Sequence, residues 1–377
     1  MEKINTKKIN LYIFIDAFGW EIYRENEWFL ADIIEVKKPL KTVFGYSSAC
    51  VPSIITGKTP AQHRHWASFY YSPETSPFKA LRYLKILPKV ISERARVRRY
   101  LSVVIKKRCG FTGYFLLYNT PFKYLLYFDY QEKNDIYSEN GIKGCKTVFD
   151  KLRKKGVPFF MEKSHSDGAK FKKLCKALRE SRIEFAYLHL GELDGLLHSN
   201  KSDSAIIRKK IKDFDIKIRE AYVLAKKYYD EVNLIVFSDH GMKETEATYD
   251  LMKDIESLNL TYGKDYAAYY DSTMARFWFL NDAAKDKITD KLNQTKQGKV
   301  FSDDELKTLG VYFEDHKDGD LIFLMNPGIL IVPSFMGKKA VCGMHGYHPD
   351  DPDSWATYLS NKDNGKQVQT IMDVFDF

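Results

Sequence analysis

Three short apolar runs along the chain close in the same way, each on an acid: LYIFID at Asp16, FAYLHLGELD at Asp194, and NLIVFSDH at Asp239 and His240. A continuous apolar run of this length is the pattern of a strand buried on both faces. Between the runs lie segments of helical periodicity such as AIIRKKIKDFDIKIREAYVLAKKYYDE. Strands alternating with helices predict an α/β fold, a mostly parallel central sheet with helices on both faces. Ligands of such sheets bind outside the carboxyl ends of the strands, so three acids at three strand ends point at one common site. A lone Asp there is ordinarily a turn residue or a helix N-cap; three together fit that explanation less well.

Between residues 76 and 110 the pattern changes. Lys79, Arg82, Lys85, Lys89, Arg94, Arg96, Arg98, Arg99, Lys106, Lys107 and Arg108 face a single acid, Glu93. Val97, Leu101, Val104 and Ile105 recur at helical spacing, which predicts a basic amphipathic helix ended by Gly110 and followed by the aromatic stretch FTGYFLLYNTPFKYLLYFDY. Residues 76–139 read as a basic, aromatic cap inserted into a catalytic domain made of residues 1–75 and 140–377. The charges of residues 79–108 either face water, attract a polyanionic substrate, or make peripheral contact with an anionic membrane surface. Residues 253–313 are charged and strand-poor apart from STMARFWFL, and read as a second excursion from the sheet.

Composition narrows the class. Fifty-nine Lys plus Arg against 50 Asp plus Glu give a net charge of +9, and 44% hydrophobic with 15% aromatic residues describe a globular chain. Its 377 residues allow two or three domains of roughly 100–200 residues, or one large α/β domain with an insertion. Cys50, Cys109, Cys145, Cys175 and Cys342 include no CxxC pair, which excludes a disulfide scaffold and a zinc ribbon and fits reduced thiols. The apolar run before Asp16 is too short for a signal peptide, and no uncharged stretch reaches the ~18 residues of a membrane-spanning helix. The expected location is therefore the cytoplasm. No specific nucleic-acid motif is evident, and nothing in the chain indicates an oligomeric state.

The candidate chemistry sits at the strand ends. ELDGLLH spaces Asp194 and His198 four residues apart, on one face of a helix, which suits two ligands of one metal ion. VFSDHGM supplies Asp239 and His240, and GMHGYHPDD supplies His345 and His348 among glycines. His165, His189 and His316 read as structural histidines. GYSSACVPSIITGKTPAQH reads as a turn into a helix after a strand KTVFGY. Pro52 suits only a first helical turn, so the helix is expected to start near Ser48 with Ser47 at its edge, where backbone N–H groups favour a bound anion. Ser48 is then expected to be the N-cap.

These residues together resemble the alkaline phosphatase superfamily and, within it, the type I phosphodiesterase / nucleotide pyrophosphatase family. Asp16, Ser47 before Thr56-Gly57, Asp194 with His198, Asp239-His240 and His345-Gly346 stand in the family's order. The resemblance spans nearly the whole chain and is thin between residues 76 and 180. It implies one metal ion on Asp194, His198 and His345, and a second on Asp16, Asp239, His240 and the Ser47 oxygen, with Zn²⁺ the better match to these donors and Mn²⁺ the alternative. It implies hydrolysis of an anionic phosphodiester or pyrophosphate through a phospho-enzyme on Ser47. A phosphomonoesterase or phosphotransferase would use the same two-metal site, and a non-catalytic basic binding protein is the alternative of another class. Two departures stand out. TPAQHRHWAS keeps Pro60 and His63 but has Arg64 and Ser68 where many nucleotide pyrophosphatases have Gly and Asn, leaving Ser68 and His348 as the substrate-binding candidates. CVPS is similar to the sulfatase modification motif, but Ile54 replaces its Arg, which argues against a sulfatase.

Overall fold

Alternate side chains of the strand Lys8–Ile15 enter two different cores. Ile9, Leu11, Ile13 and Ile15 join one cluster, with the helices Asp167–Glu180 and Ala205–Tyr228. Tyr12 and Phe14 join the other, with the helix Ser47–Thr56. A strand apolar on both faces is thus sandwiched between helices, as the uninterrupted run requires. The computed structural model describes residues 7–86, 88, 94–162, 166–363 and 365–375. Its central sheet has six strands in the order Val36–Leu40, Ala356–Ser360, Glu231–Phe237, Lys8–Ile15, Phe185–Leu190, Phe159–Met161. The last four are mutually parallel, and Ala356–Ser360 runs antiparallel to both its neighbours.

The expected strand KTVFGY is displaced. The edge strand is Val36–Leu40, and Pro39 is accommodated there because an edge leaves one side of the ladder unpaired. Thr42, Val43 and Phe44 form a buried connection, held where the Thr42 hydroxyl donates to the Asp239 carbonyl at 2.7 Å.

Residues 253–313 are richer in strands than expected. Tyr266–Tyr270, Met274–Phe279, Leu321–Met325 and Gly298–Val300 form a second, antiparallel sheet. Tyr266–Tyr270 is buried at every position, so it shows no alternation to read. The helix expected within residues 76–110 is Ala95–Arg108, and Gly110 beyond it has φ +68. Its inward face, Arg98, Ser102 and Ile105, meets a core built from Phe111, Phe115, Phe122 and Leu125 together with Tyr269 and Phe335 of the second sheet region. Among the described residues no helix is long and apolar enough to cross a membrane.

Candidate active site and metal centre

The strand Lys8–Ile15 lies between the other two acid-ended strands in matched register, Ile15 opposite Leu190 and Phe14 opposite Phe237. The chain segments that follow these positions therefore emerge side by side. Asp16 leaves the first strand directly. Asp194 lies in the helix Glu192–Leu197, with His198 closing it one turn later, and the buried Asp167 carboxylate fixes that helix's entry by accepting from the Gly191 and Glu192 N–H groups. Asp239 and His240 follow the third strand. His345 arrives from far along the chain on a short ladder that pairs Gly343 with Glu244 and Met344 with Lys243. Gly346 then turns at φ +88, where a Cβ would fall 2.6 Å from the Tyr46 ring.

Two groups of side chains result, Asp194 with His198 and His345, and Asp16 with Asp239 and His240; in each, the potential ligand atoms lie within 4.8 Å of one another. His198 Nε2 is 3.3 Å and His345 Nε2 3.6 Å from Asp194 Oδ1. His240 Nε2 is 3.2 Å from Asp239 Oδ2 and 3.6 Å from Asp16 Oδ1. The carboxylate atoms at the centre of these contacts, Asp16 Oδ1, Asp194 Oδ1 and Asp239 Oδ2, are buried and accept no hydrogen bond. Buried charged oxygens left unsatisfied cost several kcal/mol unless something compensates them, and a divalent cation does so. The histidines are oriented for the same task. His198 Nδ1 donates to the Gly343 carbonyl at 2.8 Å and His240 Nδ1 to the Gly241 carbonyl at 2.9 Å, which leaves each Nε2 facing the carboxylates. The His240 and His345 rings stack 3.8 Å apart and join the two groups.

The electrostatics carry the same mark. Burial, then the charges of Asp239 and Asp194, push the Asp16 carboxyl well above its usual range. For Asp194 burial acts in the same sense, but the close His198 imidazole and the charges of His345 and His240 outweigh it and hold the group low. Burial opposes charge on His240 and on His198, and neighbouring Asp239 and Asp194 overcome it in turn, so both are raised. His345 is pushed well down by burial and by the adjacent His240.

Ser47 opens the helix Ser47–Thr56, with Tyr46 as N-cap, and its Oγ lies 3.0 Å from His240 Nε2. Gly57 closes the helix in the left-handed conformation at φ 66, the reason for a glycine after Thr56. Two expectations fail here. Pro52 sits inside the helix rather than in its first turn, removing the donor that the Ser48 carbonyl would otherwise meet. Ser48 is not the cap: its hydroxyl donates to the Trp66 carbonyl at 3.0 Å, pinning the helix start to the following loop.

The remaining predicted residues lie outside the cluster or beside it. Ser68 faces Tyr130, and its backbone carbonyl accepts from the Gln131 N–H at 2.9 Å. His348 accepts from the Asp350 N–H at Nδ1 and stacks on Phe301. His63 is buried against Ser53 Oγ at 2.9 Å, and Arg64 has φ 65, a left-handed position that suits the glycine of the family pattern. His165 lies outside the described residues. His189, expected to be structural, reaches the site: its Nε2 is 3.6 Å from Asp16 Oδ2 and its Nδ1 is 3.0 Å from the Tyr137 hydroxyl. Tyr46 was unmarked by any spacing. It packs edge-on against His345 and donates to Thr273 Oγ1, which donates to the Gly346 carbonyl.

The type I phosphodiesterase / nucleotide pyrophosphatase family profile matches residues 10–348. No curated protein matches the chain by sequence. Among solved structures, murine ectonucleotide pyrophosphatase / phosphodiesterase 5 is similar at a TM-score of 0.65 and 16% identity, covering 94% of this chain and 87% of that one. The human protein of the same name gives 0.65 at 15%, again with 94% and 87% covered. An inactive variant of the murine protein in complex with AMP gives 0.64 at 16%, with the same coverage. At these identities the likeness speaks for the fold alone.

Proposed function

Because the chain belongs to the type I phosphodiesterase / nucleotide pyrophosphatase family of the alkaline phosphatase superfamily, and is thus a phosphoric ester hydrolase, we propose that it cleaves a phosphodiester or pyrophosphate bond through a phospho-enzyme on Ser47. In this reading Asp194, His198 and His345 hold one divalent cation, and Asp16, Asp239, His240 and the Ser47 oxygen hold a second. Three carboxylates and three imidazoles suit Zn²⁺ best, with Mn²⁺ as the alternative. When bound, the cations acidify the nucleophile and neutralise charge on the attacking and leaving oxygens.

The chain's own residues do the rest. Ser47 Oγ attacks phosphorus, forming the Ser47–phosphate bond as the bond to the leaving oxygen breaks; water then cleaves the phosphoseryl ester and restores the hydroxyl. The first-turn N–H groups and the dipole of the helix Ser47–Thr56 favour the negative charge that develops there. Tyr46 and Ser48, anchored on Thr273 and Trp66, keep Ser47 turned toward His240. The observation that carries the reading is the Ser47 hydroxyl 3.0 Å from His240 Nε2, which itself lies 3.2 Å from Asp239 Oδ2 and 3.6 Å from Asp16 Oδ1, two buried oxygens that accept no hydrogen bond.

Further parts of the proposal are a catalytic body of residues 1–75 and 140–377, an insert of residues 76–139, and a cytoplasmic location, which five unpaired cysteines favour. The AMP bound to the murine variant makes nucleotide esters the first compounds to try. A panel of phosphodiesters, pyrophosphates and phosphomonoesters, offered to Zn²⁺- or Mn²⁺-loaded protein, tests the bond type. Diester or pyrophosphate turnover well above monoester turnover is expected, and the reverse order would replace the reading by a phosphomonoesterase.

A further inference from the structure

We propose that the outward face of the helix Ala95–Arg108 docks on an anionic phospholipid bilayer. The helix turns Arg98, Ser102 and Ile105 into the fold and leaves Tyr100, Val103 and Val104 outside. Tyr100 at 68% and Val103 at 62% are, with Tyr83, the most exposed large apolar side chains among the described residues. They are also neighbours on one face, because positions three and four apart in a helix stack above one another. Arg96, Arg99 and Lys107 share that face by the same spacing, and all three are exposed. No Asp or Glu occurs between Arg94 and Phe128 to neutralise them.

An apolar centre rimmed by cations, on a helix packed into a protein by its other side, has the chemistry of the bilayer interface. The tyrosine and valines enter the headgroup boundary, while the long basic side chains reach lipid phosphates. The same cations would also attract a nucleic acid, but two exposed valines at the centre add nothing to phosphate-backbone binding, and this decides for the bilayer. Arg98, the most prominent charge of the segment by its place in the RVRR run, takes no part. It is 5% exposed, donates to the Thr120 carbonyl at 2.7 Å and lies over the Phe122 ring.

The proposal does not depend on the role given to Ser47.

Flotation with phosphatidylcholine vesicles, and with vesicles that also contain phosphatidylserine, tests it on the full chain. The wild type is expected on the anionic vesicles only, with binding that weakens as salt rises. Arg96→Glu/Arg99→Glu and, separately, Tyr100→Ser/Val103→Ser are each expected to weaken that binding at least tenfold. The Tyr100/Val103 variant should still hydrolyse a small soluble substrate at the wild-type rate. Absence of wild-type binding to anionic vesicles would overturn the proposal. So would undiminished binding of the Tyr100/Val103 variant, since the charges alone would then account for it.

Discussion

Ser47 Oγ and His240 Nε2 lie 3.0 Å apart although 193 residues separate them in the chain. One comes from a helix start on one side of the sheet, the other from the end of a central strand. The contact exists because the Thr42 hydroxyl ties the segment before that helix to the Asp239 carbonyl. The candidate nucleophile is thereby anchored to the backbone of the metal group it faces.

Asp239→Asn keeps the shape of the side chain and removes its charge. In the native side chain Oδ1 accepts from the His240 N–H at 3.0 Å, while Oδ2 accepts no hydrogen bond and lies 3.2 Å from His240 Nε2. An amide can still serve the first contact but is a poor ligand for a transition-metal ion. The variant should lose metal and hydrolysis together while remaining folded. Elemental analysis of purified protein checks this, and full metal content in the variant would take Asp239 out of the site.

Ser48→Ala should behave quite differently. It deletes a hydrogen bond to the Trp66 carbonyl rather than an N-cap, at a cost of about 0.5–1.5 kcal/mol, and leaves Ser47 in place. Urea denaturation should show that loss, with metal content unchanged and most of the activity retained.

Acid should unfold the protein partly through the pair after the nucleophile helix. Burial lowers His63 from 6.5 to about 3, and His65 to about 4. Both stay neutral in the fold where the unfolded chain binds protons. Their contribution is complete above pH 6.5 and is lost as pH falls below it, at about 1.4 kcal/mol per pH unit for each group. His63→Gln should be less stable near neutrality yet show a shallower decline between pH 6 and 4 (about one proton fewer). Denaturation curves across that range supply the comparison.

The acid-ended strands were legible because a two-faced strand in a covered sheet must be apolar throughout, and its polar residues can begin only where it exits. Asp16 and Asp239 stand just past such exits, and Asp194 lies in the short helix Glu192–Leu197 that follows the strand ending at Leu190. The second sheet was not legible, since YAAYY is buried at every position and reads neither as alternation nor as a long apolar run. Ser48 was read as a cap from local preference, whereas a tertiary partner, the Trp66 carbonyl, takes its hydroxyl. His189 looked structural because a histidine within an apolar strand usually is. Its approach to Asp16 depends on strand register, which pairs Phe14 with His189 and is invisible along one chain. Arg98 stood among the charges, yet its spacing to Ser102 and Ile105 marks the inward face.

The most direct measurement is the position of the phosphoryl group. Metal-loaded protein is mixed with substrate, quenched in acid and digested, and the modified residue is located by mass spectrometry. Phosphate is expected on Ser47, with no label or turnover in a Ser47→Ala variant that stays folded and metal-loaded. Phosphate on Ser48, or full activity in Ser47→Ala, would contradict it.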